Sequence, residues 1–186
     1  MELAAQTACV ILAGGRGSRM ASKDRHKVCF PIAGRPAIVR AIDAYKAAGL
    51  RRFLVVVGQL AEQVIATVSE AHPEATFVYQ PEPKGTGHAA QVAVAALAAE
   101  GFRGDVLLVM GDKIIRPNVV RRLLEQFAGT LADMIVTTLP KTDRSSAGRV
   151  VLDDDGHAVG IVEVSDIAQA RRSRHRVHLG DLRLTA

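Results

Sequence analysis

The chain contains no tryptophan, and two tyrosines and five phenylalanines bring aromatic residues to only 4% of its 186. Platforms on which single-stranded bases could stack are therefore scarce. Cysteine is sparse too. Cys9 and Cys29 sit in separate apolar stretches and match no metal or redox spacing, so both are expected to be buried, reduced thiols. Long apolar runs are missing, none nearing the roughly 18 residues of a membrane span. The short run Ala8–Ala13 is no secretory signal, because Glu2 stands where a basic flank belongs and Gly14, Gly15 and Arg16 end it. A cytoplasmic location and no membrane partner are expected. Acidic residues fall short of basic ones, leaving a net charge of +5. Taking away the clustered Arg171, Arg172, Arg174 and Arg176 leaves +1, so the excess is local and nucleic acid is not favoured as a partner.

Three well-known signatures are also absent. No Gly-Lys-Ser/Thr closes a P-loop, and no G-x-S-x-G makes a nucleophile elbow. A dinucleotide fingerprint starting at Gly15 and Gly17 fails at Met20, and the second strand ends in Val57-Gly58-Gln59 without a carboxylate for a ribose.

With 48% hydrophobic residues, the chain can build one real core, and a single domain over 1–186 is expected. Continuous apolar runs at Ala8–Ala13, Phe53–Val57, Val106–Met110 and Met134–Thr138 suit parallel strands covered on both faces, with a weaker strand at Thr76–Tyr79. Between them, Ile38/Ile42/Tyr45, Leu60/Val64/Val68 and Val119/Val120/Leu123/Leu124/Phe127 recur at helical spacing, and His88–Ala98 is rich in alanine. The pattern predicts an α/β fold, doubly wound on a mostly parallel sheet. A β-hairpin is expected near 148–164, turning at Asp154-Asp155-Gly156; the three acids there read as turn residues rather than a metal site. Residues 166–186 form a basic tail with no assigned element.

Ligands of open α/β sheets bind at the carboxyl ends of the strands. LAGGRGSRM (12–20), QPEPKGTGHA (80–89) and MGDK (110–113) all follow strands and converge on that edge. Gly14, Gly15 and Gly17 let backbone amides approach an anion. Arg19 offers a bidentate clamp for phosphate and Lys27 a point charge. Asp112, at a strand tip, is a candidate Mg²⁺ ligand.

These blocks resemble the nucleotidyltransferase domain of N-acetylglucosamine-1-phosphate uridyltransferases and related sugar-nucleotide pyrophosphorylases. The pattern L-A-[AG]-G-x-G-[ST]-R-M is met by Leu12–Met20. Lys27, Pro31, Gly34, Arg35 and Pro36 meet the next block, with His26 in place of the usual Pro. Gln80 and Gly85–Ala89 follow, then Gly111-Asp112, then Gly148-Arg149 with Gly160–Glu163. The resemblance covers roughly residues 8–163. It implies a Rossmann-like nucleotidyltransferase fold and Mg²⁺-dependent transfer of a nucleotidyl group from UTP to N-acetylglucosamine-1-phosphate, with release of pyrophosphate.

It further implies that Leu12, Ala13, Gly14, Gly15 and Gly17 hold the nucleotide, with Gln80, Gly85 and Thr86 beside the base. Arg19 and Lys27 would balance the triphosphate, Asp112 would bind Mg²⁺, and Thr86, Gly148 and Glu163 would touch the sugar. His88 is expected to order the loop-to-helix turn. Departures are Lys113 after Gly111-Asp112 and His178-Leu179-Gly180 where the family has Asn-Thr-Gly. The family's second metal ligand and last strands lie beyond residue 186, and no hexapeptide-repeat region for acetyl-CoA chemistry is present. Alternatives are another base or phosphorylated acceptor, as in a molybdopterin cytidylyltransferase, or a nucleotide-binding module without turnover.

Overall fold

A strand with apolar side chains on both faces needs cover on both, and β1 (Thr7–Ala13) has it: no residue in it is more than 6% exposed. The computed structural model describes residues 2–15, 24–138, 148–162 and 183–184. A short helix, α1 (Glu2–Gln6), leads into β1, and a 3₁₀ turn (Lys27–Cys29) follows. Next come β2 (Pro31–Ile32), β3 (Arg35–Pro36), α2 (Ala37–Ala47), β4 (Arg52–Val57), α3 (Ala61–Ala71) and β5 (Thr76–Tyr79). After these lie α4 (Thr86–Ala99), β6 (Asp105–Met110), α5 (Pro117–Ala128), β7 (Arg149–Leu152), β8 (Ala158–Val162) and β9 (Arg183–Leu184).

The main sheet is parallel, in the order β5-β4-β1-β6. The chain steps outward from β1 through β4 to β5, then crosses to the other side of β1 for β6. That reversal puts a topological switch point between the carboxyl ends of β1 and β6. Strand alternation sorts the core into two layers. Cys9, Ile11 and Ala13 pack with α2, α3 and α5 residues such as Ile42, Val64 and Leu124, whereas Ala8, Val10 and Leu12 pack with Ala89, Ala93 and Leu97 of α4. Helices thus cover both faces, and the doubly wound α/β fold is as expected. Both cysteines are buried, and burial pushes both thiols up from their ordinary range.

The Pro31–Pro36 block is a small hairpin. It turns through Ala33 and Gly34, both at positive φ, and pairs β2 with β3 before α2 begins. The Arg40 guanidinium donates to the carbonyls of Ile32 and Ala33 and ties this hairpin to α2.

Contacts divide the chain into two units, Met1–Ala132 and Asp133–Ala186. The second holds an antiparallel sheet in the order β8-β7-β9. Its β7–β8 hairpin lies where one was expected. The expected strand Met134–Thr138 is not a strand: these residues pair with no strand among the described residues, and Met134 is 72% exposed. Continuous apolar character favours strand conformation, but a strand exists only where a partner edge meets it.

Candidate functional site

At the switch point, β1 runs into Gly14 and Gly15. The pairing of β1 continues one residue past the end of β6, the Leu12 carbonyl accepting from the Gly111 amide at 3.0 Å, so the loops after β1 and β6 start side by side. On the other flank the Gln80 amide donates to the Val57 carbonyl at 2.8 Å and carries the β4–β5 ladder to the same rim. The backbones meet here at close quarters. A Cβ on Gly58 would lie 2.7 Å from the Gly14 carbonyl oxygen, and a Cβ on Gly14 would lie 2.6 Å from Gln80 Oε1.

Gln80 is 5% exposed, and a buried amide must be bonded. Its Nε2 donates to the Gly85 carbonyl at 3.3 Å and lies 3.1 Å from His88 Nδ1, itself 3.2 Å from the Glu82 carbonyl. His88 therefore orders the loop entering α4. Gly85 caps that helix at φ +97° and ψ −178°, a conformation open essentially to glycine alone. The first turn of α4 contains no acid, so its free amides and the positive end of the helix dipole present an unneutralised anion site.

These elements enclose a cavity of about 400 Å³. Leu12, Gly14 and Gly15 line it from the first loop, Gln80, Pro83, Gly85, Thr86 and Ala89 from the loop and start of α4, and Lys27 and Met110 complete it. Lys27 stands on the 3₁₀ turn with its Nζ 2.9 Å from Asp112 Oδ2. Partial burial pushes the Asp112 carboxyl up, but the hydrogen bond and charge of Lys27, helped by Lys113, outweigh this and hold it below its ordinary value. It stays ionised as an oxygen donor. Behind it, Tyr45 Oη donates to the Lys113 carbonyl at 3.4 Å and anchors the loop to α2.

Of the residues singled out from the sequence, Leu12, Gly14, Gly15, Lys27, Gln80, Gly85 and Thr86 line one cavity, with Asp112 paired to its lysine. Ala13 turns its side chain into the core, which leaves its backbone at the rim. Gly17, Arg19 and Glu163 lie outside the described residues. Gly148 is described, in the second unit. The sequence reading missed Gly58, whose signal was only a glycine after a strand, and Gln63 of α3, which donates to the Asp24 carbonyl at 2.8 Å and accepts from the His26 amide at 2.9 Å.

Two other places gather polar side chains. Asp153, Asp155 and His157 cluster at the β7–β8 turn, but Asp153 Oδ1 already accepts from the amides of Asp155 and His157 at 3.1 and 2.8 Å, as a turn residue does. A wider groove of about 820 Å³ runs between the 24–36 segment and α3; Asp24, Arg25, Arg35 and Glu70 give it charges of both signs, and it holds none of the predicted site residues.

An open parallel sheet whose switch point carries a glycine loop, a bare helix N-terminus and a Lys–Asp pair defines an α/β domain built to hold an anionic ligand. The particular family follows from comparison with known proteins. The chain belongs to the MobA-like NTP transferase domain family, whose model matches residues 9–176. It is 37% identical over 174 residues to the bifunctional protein GlmU of Geobacter metallireducens and 40% identical over 168 residues to that of Ruegeria. Those matches take in 93% and 90% of this chain but 36% of each relative, so the chain spans little more than a third of their length. Among solved structures, a nucleotidyl transferase from Methanothermobacter thermautotroptrophicus is similar at 26% identity and a TM-score of 0.52, covering 64% of this chain and 56% of that one. HddC from Yersinia pseudotuberculosis, solved in complex with GMP-PN, shares the fold at 23% identity and a TM-score of 0.64, over 84% of this chain and 68% of its own. The resemblance drawn from five sequence blocks is thus borne out as membership of a nucleotidyltransferase family.

Proposed function

We propose that the chain transfers the nucleotidyl group of UTP to N-acetylglucosamine-1-phosphate and releases pyrophosphate. The observation that carries this reading is the convergence of Gly14, Gly15, Lys27, Gln80, Gly85 and Thr86 on one cavity beside Asp112. The amides of the glycine loop and of the α4 N-terminus, with Lys27, meet the triphosphate, and Arg19 joins them. Gln80, fixed by Gly85 and His88, and the backbone of Gly85 face the base. Thr86, on the cavity wall, serves the sugar.

An ionised, half-exposed carboxylate at the mouth of a phosphate site suits Mg²⁺, which takes one or two carboxylates together with phosphate oxygens and water. Asp112 would hold it, and the ion would neutralise charge on the phosphates. A phosphate oxygen of the sugar phosphate attacks the α-phosphorus, the bond to the bridging oxygen breaks, and pyrophosphate leaves with its electron pair. No nucleophilic side chain is needed, since alignment and charge neutralisation lower the barrier.

The test is pyrophosphate release with UTP, N-acetylglucosamine-1-phosphate and Mg²⁺, run beside other nucleotides and acceptors. Release on the first pair supports the reading, and release only on a different pair moves the specificity elsewhere in the same family. Asp112→Ala is expected to abolish turnover, and wild-type rates in that variant would remove the metal role. A binding module without turnover is the second reading, favoured because no carboxylate lines the cavity itself among the described residues. Tight UTP binding with no release on any pair would support it.

A further inference from the structure

His26 is 3% exposed and is not part of the cavity wall, but it directly precedes Lys27, which is. It is the N-cap of the 3₁₀ turn that carries Lys27: its Nδ1 accepts from the Val28 amide at 3.4 Å, and its carbonyl accepts from the Cys29 amide at 2.9 Å. An accepting Nδ1 makes the ring the neutral tautomer with the proton on Nε2. Nε2 is sealed from solvent and meets no hydrogen-bond partner among the described residues, while the Gly15 and Ala13 backbone at the root of the glycine loop lies near enough to the ring to favour its protonated form. A buried donor left in this state needs a reason. Behind the ring, Gln63 of α3 clamps the same segment twice, through the Asp24 carbonyl and the His26 amide.

We propose that His26, backed by Gln63, is a positioning residue for nucleotide binding: it acts through Lys27, fixing the turn that bears this cation against the glycine loop so that the ammonium stands beside Asp112 where the phosphates enter. The proposal rests on the cavity being the nucleotide site. The rigid helix α3 supplies the reference, Gln63 transmits it to the backbone at 24–26, and the His26 cap sets the direction in which Lys27 leaves the turn. The Lys27–Asp112 distance of 2.9 Å is the outcome.

The experiment measures dissociation constants of UTP, CTP, GTP and ATP with Mg²⁺ by calorimetry and carries the tightest forward. His26→Ala is expected to weaken binding about tenfold, the lower end of what one hydrogen bond to a charged group contributes. His26→Asn, whose side-chain oxygen can cap the same amide, should recover most of that loss. Gln63→Ala should weaken binding in the same direction as His26→Ala. The deciding readout is the cycle with Lys27→Ala, where either substitution should add less than about threefold, because the residue through which both act has gone. Equal losses with and without Lys27 overturn the proposal, as does His26→Asn binding as weakly as His26→Ala. If His26→Ala fails to fold, Gln63→Ala and its cycle with Lys27→Ala decide alone. A wild-type chain that binds none of the four nucleotides overturns the site reading itself, whereas normal wild-type binding left unchanged in His26→Ala and Gln63→Ala overturns only this proposal.

Discussion

Gly58 and Gly15 lie close together at the rim, and the structure asks different things of them. A methyl group on Gly58 would press into the Gly14 backbone at 2.7 Å, while one on Gly15 would meet none of the described residues within 4 Å. Gly58→Ala should therefore destabilise the fold by about 1–3 kcal/mol, the usual cost of overpacking. Gly15→Ala should change stability by less than about 0.5 kcal/mol and yet weaken nucleotide binding, because its methyl projects where the ligand approaches. Urea titration beside nucleotide binding would separate the two, and a destabilised Gly15→Ala would contradict the geometry. His26 makes a pH prediction at the same scale. Burial, with the charge of Lys27, lowers its pKa from the ordinary 6.5 against the pull of the Gly15 and Ala13 backbone. The unfolded chain then binds the proton more readily, so the contribution is present above pH 6.5 and is lost as pH falls through the depressed folded value. Melting temperature should drop more steeply below pH 6.5 in the wild type than in His26→Asn; parallel profiles would contradict it.

At the scale of elements, α4 is the part whose polarity matters most. Gly87 lies in its first turn, and a Cβ there would meet none of the described residues within 4 Å. Gly87→Asp puts a negative charge at the positive end of the helix, which should stabilise the fold by roughly 0.3–1 kcal/mol and weaken nucleotide binding several-fold. A variant that gains stability without losing affinity would mean that this helix end does not face the phosphates. The same scale shows what could be read from the sequence. β1 and β4 were legible because strands covered on both faces write continuous apolar runs, and α2, α3 and α5 because one covered stripe writes a helical period. β6 writes the same run, although the expected cover on both faces is not met there, Val106 and Leu108 being exposed among the described residues. Met134–Thr138 carries the same apolar signal and forms no strand, since pairing depends on a distant partner that composition does not encode. The roles of Gly58 and Gln63 were hidden for a related reason. Gln63 bonds to residues 37 and 39 positions away, and no local pattern announces such a contact.

For the molecule as a whole, residues 12–15, 26–28, 80–89 and 110–113 matter only together, and the β5-β4-β1-β6 order brings them to one edge. Most of the candidate site was legible because glycine loops after strands reveal their purpose without knowledge of their neighbours. The support beneath it was not, because it is made of side chains reaching across layers. The central claim is that this rim, rather than the wider groove beside α3, receives the nucleotide. A co-crystal structure with UTP and Mg²⁺ tests it most directly. The account predicts phosphate density against the Gly15 backbone, Lys27 and the α4 N-terminus, with the base beside Gln80; a nucleotide lodged between Arg25, Arg35 and Glu70 would contradict it.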